Sequence, residues 1–155
     1  FSKNNRLVSN GVYTLPRDLV LENGRLLQYP IREVKDIFRN RFTVAEGGEM
    51  SKTAYIEAEM NGGSLFTFGC GDDYISLKIE NGRFTLEQRQ KNHITAVRKG
   101  KYRSDTFHVE IFTDRCSLEV FVDNRDVFSA QVFIECERYK IMRSEKIKIL
   151  RAASV

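Results

Sequence analysis

The sequence predicts an all-β protein made of two packed antiparallel sheets. Three observations carry this. Apolar and polar residues alternate through most of the chain, which is the period of strands with one buried face. Asn-Gly occurs four times, at Asn10-Gly11, Asn23-Gly24, Asn61-Gly62 and Asn81-Gly82. This dipeptide suits type I′ turns, because both residues tolerate positive φ. No stretch sustains the period of a helix.

The first forty residues look extended and irregular, and both prolines, Pro16 and Pro30, lie there. Residues 1–35 are assigned as a junction packing at the start of the sandwich. Residues 36–155 are the sandwich itself, with one domain overall. Ile31, Val34 and Phe38 could form one short helical face after Pro30. Further on, Ala54, Ile56, Ala58 and Met60 share one face of a strand, and Tyr55, Glu57 and Glu59 share the other. Residues 64–70 place Phe66, Phe68 and Cys70 together. Ile75, Leu77 and Ile79 lead through Asn81-Gly82 to Phe84 and Leu86, a hairpin. Phe107, Val109 and Ile111 alternate with His108 and Glu110. Residues 117–134 read as a second hairpin, turning at Asp123-Asn124-Arg125-Asp126. A last strand is expected around Ile147–Leu150. Such short strands with almost no helix imply two stacked layers.

Composition excludes several classes. A chain of 155 residues suits one domain, and 41% hydrophobic with 30% charged residues is too apolar for disorder. The net charge of +4 comes from 25 basic and 21 acidic residues. The basic residues are dispersed, so no nucleic-acid partner is expected. The densest basic stretch, Arg98, Lys99, Lys101 and Arg103, reads as a solvated loop. No apolar run approaches the roughly 20 residues of a membrane helix, so no membrane partner is expected. Three cysteines, Cys70, Cys116 and Cys136, cannot all pair, and no Cys-x-x-Cys occurs. Reduced thiols in a cytoplasmic protein are the simplest reading. The chain starts at Phe1 rather than Met. It reads as a fragment or processed product, which leaves an upstream signal peptide open.

Two segments resemble a known family. Gly11-Val12-Tyr13-Thr14-Leu15-Pro16-Arg17-Asp18-Leu19, continuing through Asn23–Glu33, resembles the "TLPRE-L … G-LLQ-PVREL" stretch of glycoside hydrolase family 32. Asp114-Arg115-Cys116-Ser117-Leu118-Glu119-Val120-Phe121-Val122-Asp123-Asn124, followed by Val127–Ala130, is similar to its "DRSSVEIFVNDGE-VFTSR" hairpin. Asp18 stands where Glu is usual, and Asn124-Arg125 replaces the commoner Asn-Asp-Gly.

The family includes sucrose-6-phosphate hydrolases, invertases and levanases. The resemblance implies a concanavalin-like jelly roll, with little or no helix, following a five-bladed catalytic propeller. It also implies a retaining glycosidase, whose two carboxyl groups stand about 5 Å apart. In the family these come from Asn-Asp-Pro-Asn-Gly and Glu-Cys motifs, with Arg-Asp-Pro stabilising the transition state. Leu15 and Tyr29 precede the only two prolines, so neither Pro-containing motif is present. No catalytic residue is therefore assigned.

Several decoys have plainer readings. Glu135-Cys136 matches the acid/base dipeptide, but it follows the sandwich hairpin and reads as a strand end. Asp72-Asp73, and Asp123 with Asp126, read as turn residues. His93 and His108 are the only histidines and lack metal-site spacing, so neither a metal nor a cofactor is expected. Ser104, Asp105 and His108 could be drawn as a triad, but no nucleophile elbow supports it. Gly47-Gly48 and Gly62-Gly63 read as loop glycines, not a phosphate cradle.

The expected function is non-catalytic. The module would bury an interface against the propeller of its own polypeptide, with Leu15, Pro16, Arg17, Arg32 and Glu33 near it. Arg17 and Arg32 suit bidentate carboxylate contacts across that interface. Homodimerisation is a further expected role. The alternative is a carbohydrate-binding module for fructan or another glycan, with Tyr55, Tyr74 and Tyr102 as an exposed stacking platform. The absence of Trp weakens that alternative. A third reading is an unrelated sandwich serving protein interaction.

Overall fold

The computed structural model describes residues 13–101 and 104–155. In chain order the elements are β1 (Arg17–Glu22), β2 (Arg25–Pro30), the helix α1 (Arg32–Asp36), β3 (Asn40–Arg41), β4 (Glu49–Ser51) and β5 (Thr53–Cys70). There follow β6 (Asp73–Glu80), β7 (Arg83–Gln90), β8 (His93–Lys101), β9 (Thr106–Asp114), β10 (Ser117–Val122), β11 (Asp126–Gln131) and β12 (Arg138–Ser154).

Two long strands build both layers. Residues 53–61 of β5 pair with β9, and residues 65–70 pair with β6. β12 runs antiparallel along the whole of β5, from Lys140 opposite Gly69 to Ser154 opposite Ala54. One layer thus continues through β9, β10 and β11, and the other through β6, β7 and β8. Their inner faces form the main core. Ile56, Met60, Phe107 and Val109 come from one side, and Phe68, Leu77 and Phe84 from the other. The Phe84 ring on β7 stacks on Phe128 of β11 at 5.3 Å, closing the sandwich between layers.

Asn61-Gly62 is therefore not a turn, and Gly62-Gly63 is not a loop: both pairs lie inside β5 where it bends. Gly63 has φ +86°, and Lys146 opposite it has φ +51°. The register shifts there between Glu145 and Ile147, a bulge that re-aims the ladder from one layer to the other. Ser64 is fully buried at the bend and donates its hydroxyl to the Lys146 carbonyl. Asn23-Gly24 and Asn81-Gly82 do form positive-φ turns. Asn10-Gly11 lies outside the described residues.

Three other readings change. Arg98, Lys99 and Lys101 lie on β8 rather than in a loop; Arg103 is outside the described residues. The last strand is not four residues but seventeen. Cys70 does not join Phe66 and Phe68 in the core, because it ends β5 and is exposed.

From Arg17 onward the junction is regular rather than irregular. β1 and β2 form a separate two-stranded sheet, and α1 follows at once. The helix is one turn long, with no side-chain cap, so tertiary packing must hold it. Val34 and Phe38 supply that packing on the outer face of the β5–β9–β10 layer.

Candidate interface at the junction segment

The outer face of that layer carries a second apolar cluster. Tyr55, Phe112, Phe121 and Ala153 from the sandwich meet Val34 and Phe38, with Leu15, Ile31 and Val127 packed around them. The rings of Tyr55 and Phe112 lie 4.7 Å apart, and Phe38 sits 5.9 Å from each. Tyr55 is consequently 0% exposed and offers no stacking face, contrary to expectation. Tyr74 is half-buried, with the Arg89 guanidinium 5.9 Å over its ring, and Tyr102 lies outside the described residues.

Arg17 is held inside the module. Its guanidinium donates to Glu119 Oε2 at 2.6 Å and to Gln28 Oε1 at 3.0 Å. The Leu15 amide donates to the other Glu119 oxygen at 2.6 Å. The Glu119 side chain is only 4% exposed, so this pair is largely withdrawn from water. Leu15 is half-buried, whereas Pro16, Arg32 and Glu33 are exposed. The Arg32 guanidinium reaches Asp36 at 3.5 Å on its own helix. The five junction residues therefore divide: Leu15 and Arg17 fasten the segment to the sandwich, and the other three face outward.

A polar group sits beside the apolar cluster. Buried Glu110 on β9 receives the Lys35 ammonium from α1 and the Tyr55 hydroxyl at 2.9 Å. Among the described residues, Glu57, His108 and Glu110 are the one trio with metal-ligand atoms within 4.8 Å of each other. His108 Nε2 stands 3.6 Å from Glu57 and 3.8 Å from Glu110. A divalent cation there would face the Lys35 charge, so the group acts as an ion-pair network tying α1 down. His108 faces these carboxylates, and Ser104 donates its hydroxyl to the carbonyl of Thr106, the first residue of β9, so no triad forms.

Glu110 and Glu119 escape sequence reasoning. Both alternate onto the face expected to meet solvent, and only a covering segment makes them buried. The usable signal was the junction itself, whose Arg17 and Lys35 are their partners.

The Tyr55 hydroxyl is pushed far above the ordinary tyrosine range, first by burial and then by the charge and hydrogen bond of Glu110. Below about pH 10 the group is protonated in both folded and unfolded chains. Above that, the unfolded chain releases the proton first, so stability falls with rising pH. The wild type should lose more stability between about pH 9 and 11 than Tyr55→Phe, compared by urea midpoints. Equal losses would refute this assignment.

Asp72 and Asp123 lie in turns, whereas Asp73 and Asp126 open β6 and β11. The carboxylates do not cap their own turns: Asp123 Oδ1 accepts the His108 amide at 2.8 Å, and Asp73 Oδ1 accepts the Lys91 amide at 2.7 Å. Glu135 is exposed in the connection between β11 and β12.

The hairpin β1–β2 presents the apolar surface left over. Leu19 pairs with Gln28 and Leu21 with Leu26, so Leu19, Leu21 and Leu26 share one face. They are 62%, 74% and 53% exposed.

Comparison with known proteins gives a consistent picture. The family described as "Glycosyl hydrolases family 32 C terminal" matches residues 48–152. A sucrose-6-phosphate hydrolase of Vibrio alginolyticus is 24% identical over 134 residues, covering 81% of this chain and 28% of its own length. A sucrose-6-phosphate hydrolase of Streptococcus mutans is 25% identical, covering 79% of this chain and 28% of its own. The sucrose-6-phosphate hydrolase structure from Lactobacillus gasseri superposes with TM-score 0.72 at 15% identity, over 90% of this chain and 33% of that one. A family 32 β-fructofuranosidase of Bombyx mori gives 0.62 at 18% identity, over 92% and 32%. The chain thus spans a third or less of the length of these relatives.

Proposed function

Because this chain belongs to the C-terminal domains of glycosyl hydrolase family 32, we propose that it is the non-catalytic companion of a fructoside-cleaving domain on the same polypeptide. It stabilises that domain by contact. The supporting observation is the leucine face of the β1–β2 hairpin, together with outward-facing Pro16, Arg32 and Glu33. Three exposed leucines on one small sheet form the kind of patch that marks an interaction site. The hairpin is fastened to the sandwich by Arg17 and Glu119, so docking there would couple the two bodies mechanically. The parent substrate is proposed to be sucrose, sucrose 6-phosphate or a related β-fructoside.

The test mixes this chain with the separately expressed catalytic domain. Association and a rise in that domain's melting temperature are expected. Leu21→Asp should weaken association at least about tenfold while leaving the sandwich within about 0.5 kcal/mol of wild type, since Leu21 packs against little in the module itself. Absence of any association would sink the reading. A dimer of this chain that Leu21→Asp dissociates would instead assign the hairpin to a second copy.

A further inference from the structure

We propose that the outer face of the β6–β7–β8 layer is a binding site for an organic phosphomonoester, a phosphate carried on a body the size of a sugar. The junction segment packs on the other layer and leaves this face uncovered. Its register sets out a block of cations. Lys78 on β6 pairs with Thr85 on β7, and Thr85 pairs with Lys99 on β8. In the next row Glu80 pairs with Arg83, and Arg83 pairs with Lys101. Ile79, Phe84 and Leu86, which alternate with these positions, are buried in the main core, so the charged set projects outward. Neighbouring strands stand about 4.8 Å apart, which puts the backbones of Lys78 and Lys99 about 10 Å from each other. Their flexible stems can converge on one anion. Lys78, Arg83 and Lys99 border a single groove of about 610 Å³, together with Thr85, Ile94 and Val97.

Two features favour a ligand over a merely solvated face. The first is charge that the chain does not answer. Glu80 is taken up by Lys78 at 2.9 Å, and Glu87, which also lines the groove, accepts the Tyr74 hydroxyl at 3.5 Å. Among the described residues, no carboxylate stands within ion-pair distance of Arg83, Lys99 or Lys101. Arg83 and Lys101 are direct cross-strand partners, and like charges so placed destabilise a sheet. An anion between them removes that cost. Four cations against two carboxylates leave a net charge of two, which matches the roughly −1.5 to −2 of a phosphomonoester at neutral pH. Arg83 supplies a planar fork for the phosphate oxygens, and the lysines supply point charges. The second feature is the wall of the groove. Ile94 is 59% exposed and Val97 38%, an apolar surface beside the cations that a bare phosphate leaves unused. A sugar-sized body can lay its C–H face there and turn its hydroxyls to Thr85 and Glu87.

The test is calorimetric titration of the chain at low ionic strength with glucose 6-phosphate, inorganic phosphate and glucose. Glucose 6-phosphate should bind saturably and at least about threefold more tightly than inorganic phosphate, and glucose should give no heat. Added salt should weaken the binding. Arg83→Gln and Lys99→Gln should each weaken it by about tenfold. Both side chains are exposed, so the urea midpoints should stay near that of the wild type. Without ligand, Arg83→Gln should melt slightly higher, because Lys101 loses the charge opposed to it. Lys148→Gln, which removes a cation paired with Glu59 on the other layer, should bind as the wild type does. No saturable binding would overturn the proposal and leave Lys99 and Lys101 as charges guarding an open sheet edge. Equal affinity for glucose 6-phosphate and inorganic phosphate would also overturn it, as would binding that Arg83→Gln and Lys99→Gln both leave intact.

Discussion

Gly69→Ala is expected to destabilise the module by about 3 kcal/mol or more. Gly69 is buried near the end of β5, opposite Tyr74 in the tight β5–β6 hairpin. A Cβ at this position would lie 2.1 Å from the Asp73 carbonyl oxygen and 2.6 Å from the Tyr74 Cα. Those are backbone atoms of the paired strand, so no rotamer change relieves the overlap. Either the hairpin opens or the ladder slips, and both disturb β12, which pairs with Gly69 on its other edge. Gly47→Ala is the contrasting case. Gly47 has φ +82° and nothing within 4 Å, so only local backbone strain of about 1 kcal/mol is expected. Urea unfolding of both variants checks the argument. A Gly69→Ala midpoint close to that of Gly47→Ala would refute it.

Arg17→Ala should destabilise the module by roughly 2–4 kcal/mol. The reason is the orphaned partner rather than the lost attraction: Glu119 stays buried with a charge answered only by the Leu15 amide. Removing one member of a buried pair exposes the full desolvation penalty of the other. The upper end of the usual range is not reached, because the Arg17 side chain is 19% exposed and water partly replaces it. Arg17 also lies 5.5 Å over the Phe121 ring, so packing is lost as well. The double variant Arg17→Met, Glu119→Leu should recover most of the loss, since two apolar groups leave nothing unsatisfied. Chemical unfolding of the single and double variants gives the cycle. A double variant as unstable as Arg17→Ala would show that the charge on Glu119 is not the cause.

Where one face of a strand meets the main core, its pattern was legible in the sequence. The β6–β7 hairpin follows from Ile75, Leu77 and Ile79, the Asn81-Gly82 turn, then Phe84 and Leu86. The β10–β11 hairpin follows in the same way. β8 escaped notice because it is an edge strand with no buried residue, and alternation disappears when neither face is covered. Of β12 only Ile147–Leu150 was legible, because three register shifts break its period. Gly62-Gly63 misled because Asn-Gly reports local backbone freedom, and a bend inside a strand needs that freedom as much as a turn does. Tyr55 misled for a different reason. Its alternation correctly placed it away from the main core, but a second layer of chain, α1 with Val34 and Phe38, covers that side too.

The shared strands also bear on how this fold is made. Ala54 pairs with Ser154, and every residue of β5 that meets β12 waits for a strand that follows β6 to β11 in the chain. On a ribosome, hairpins such as β6–β7 can form early, whereas neither sheet gains its β12 edge until that strand emerges. Until then β5 exposes a long unpaired margin with Phe66 and Phe68 beside it, the kind of template on which chains aggregate. A nascent chain of this type therefore has reason to engage a chaperone between the emergence of β5 and that of β12.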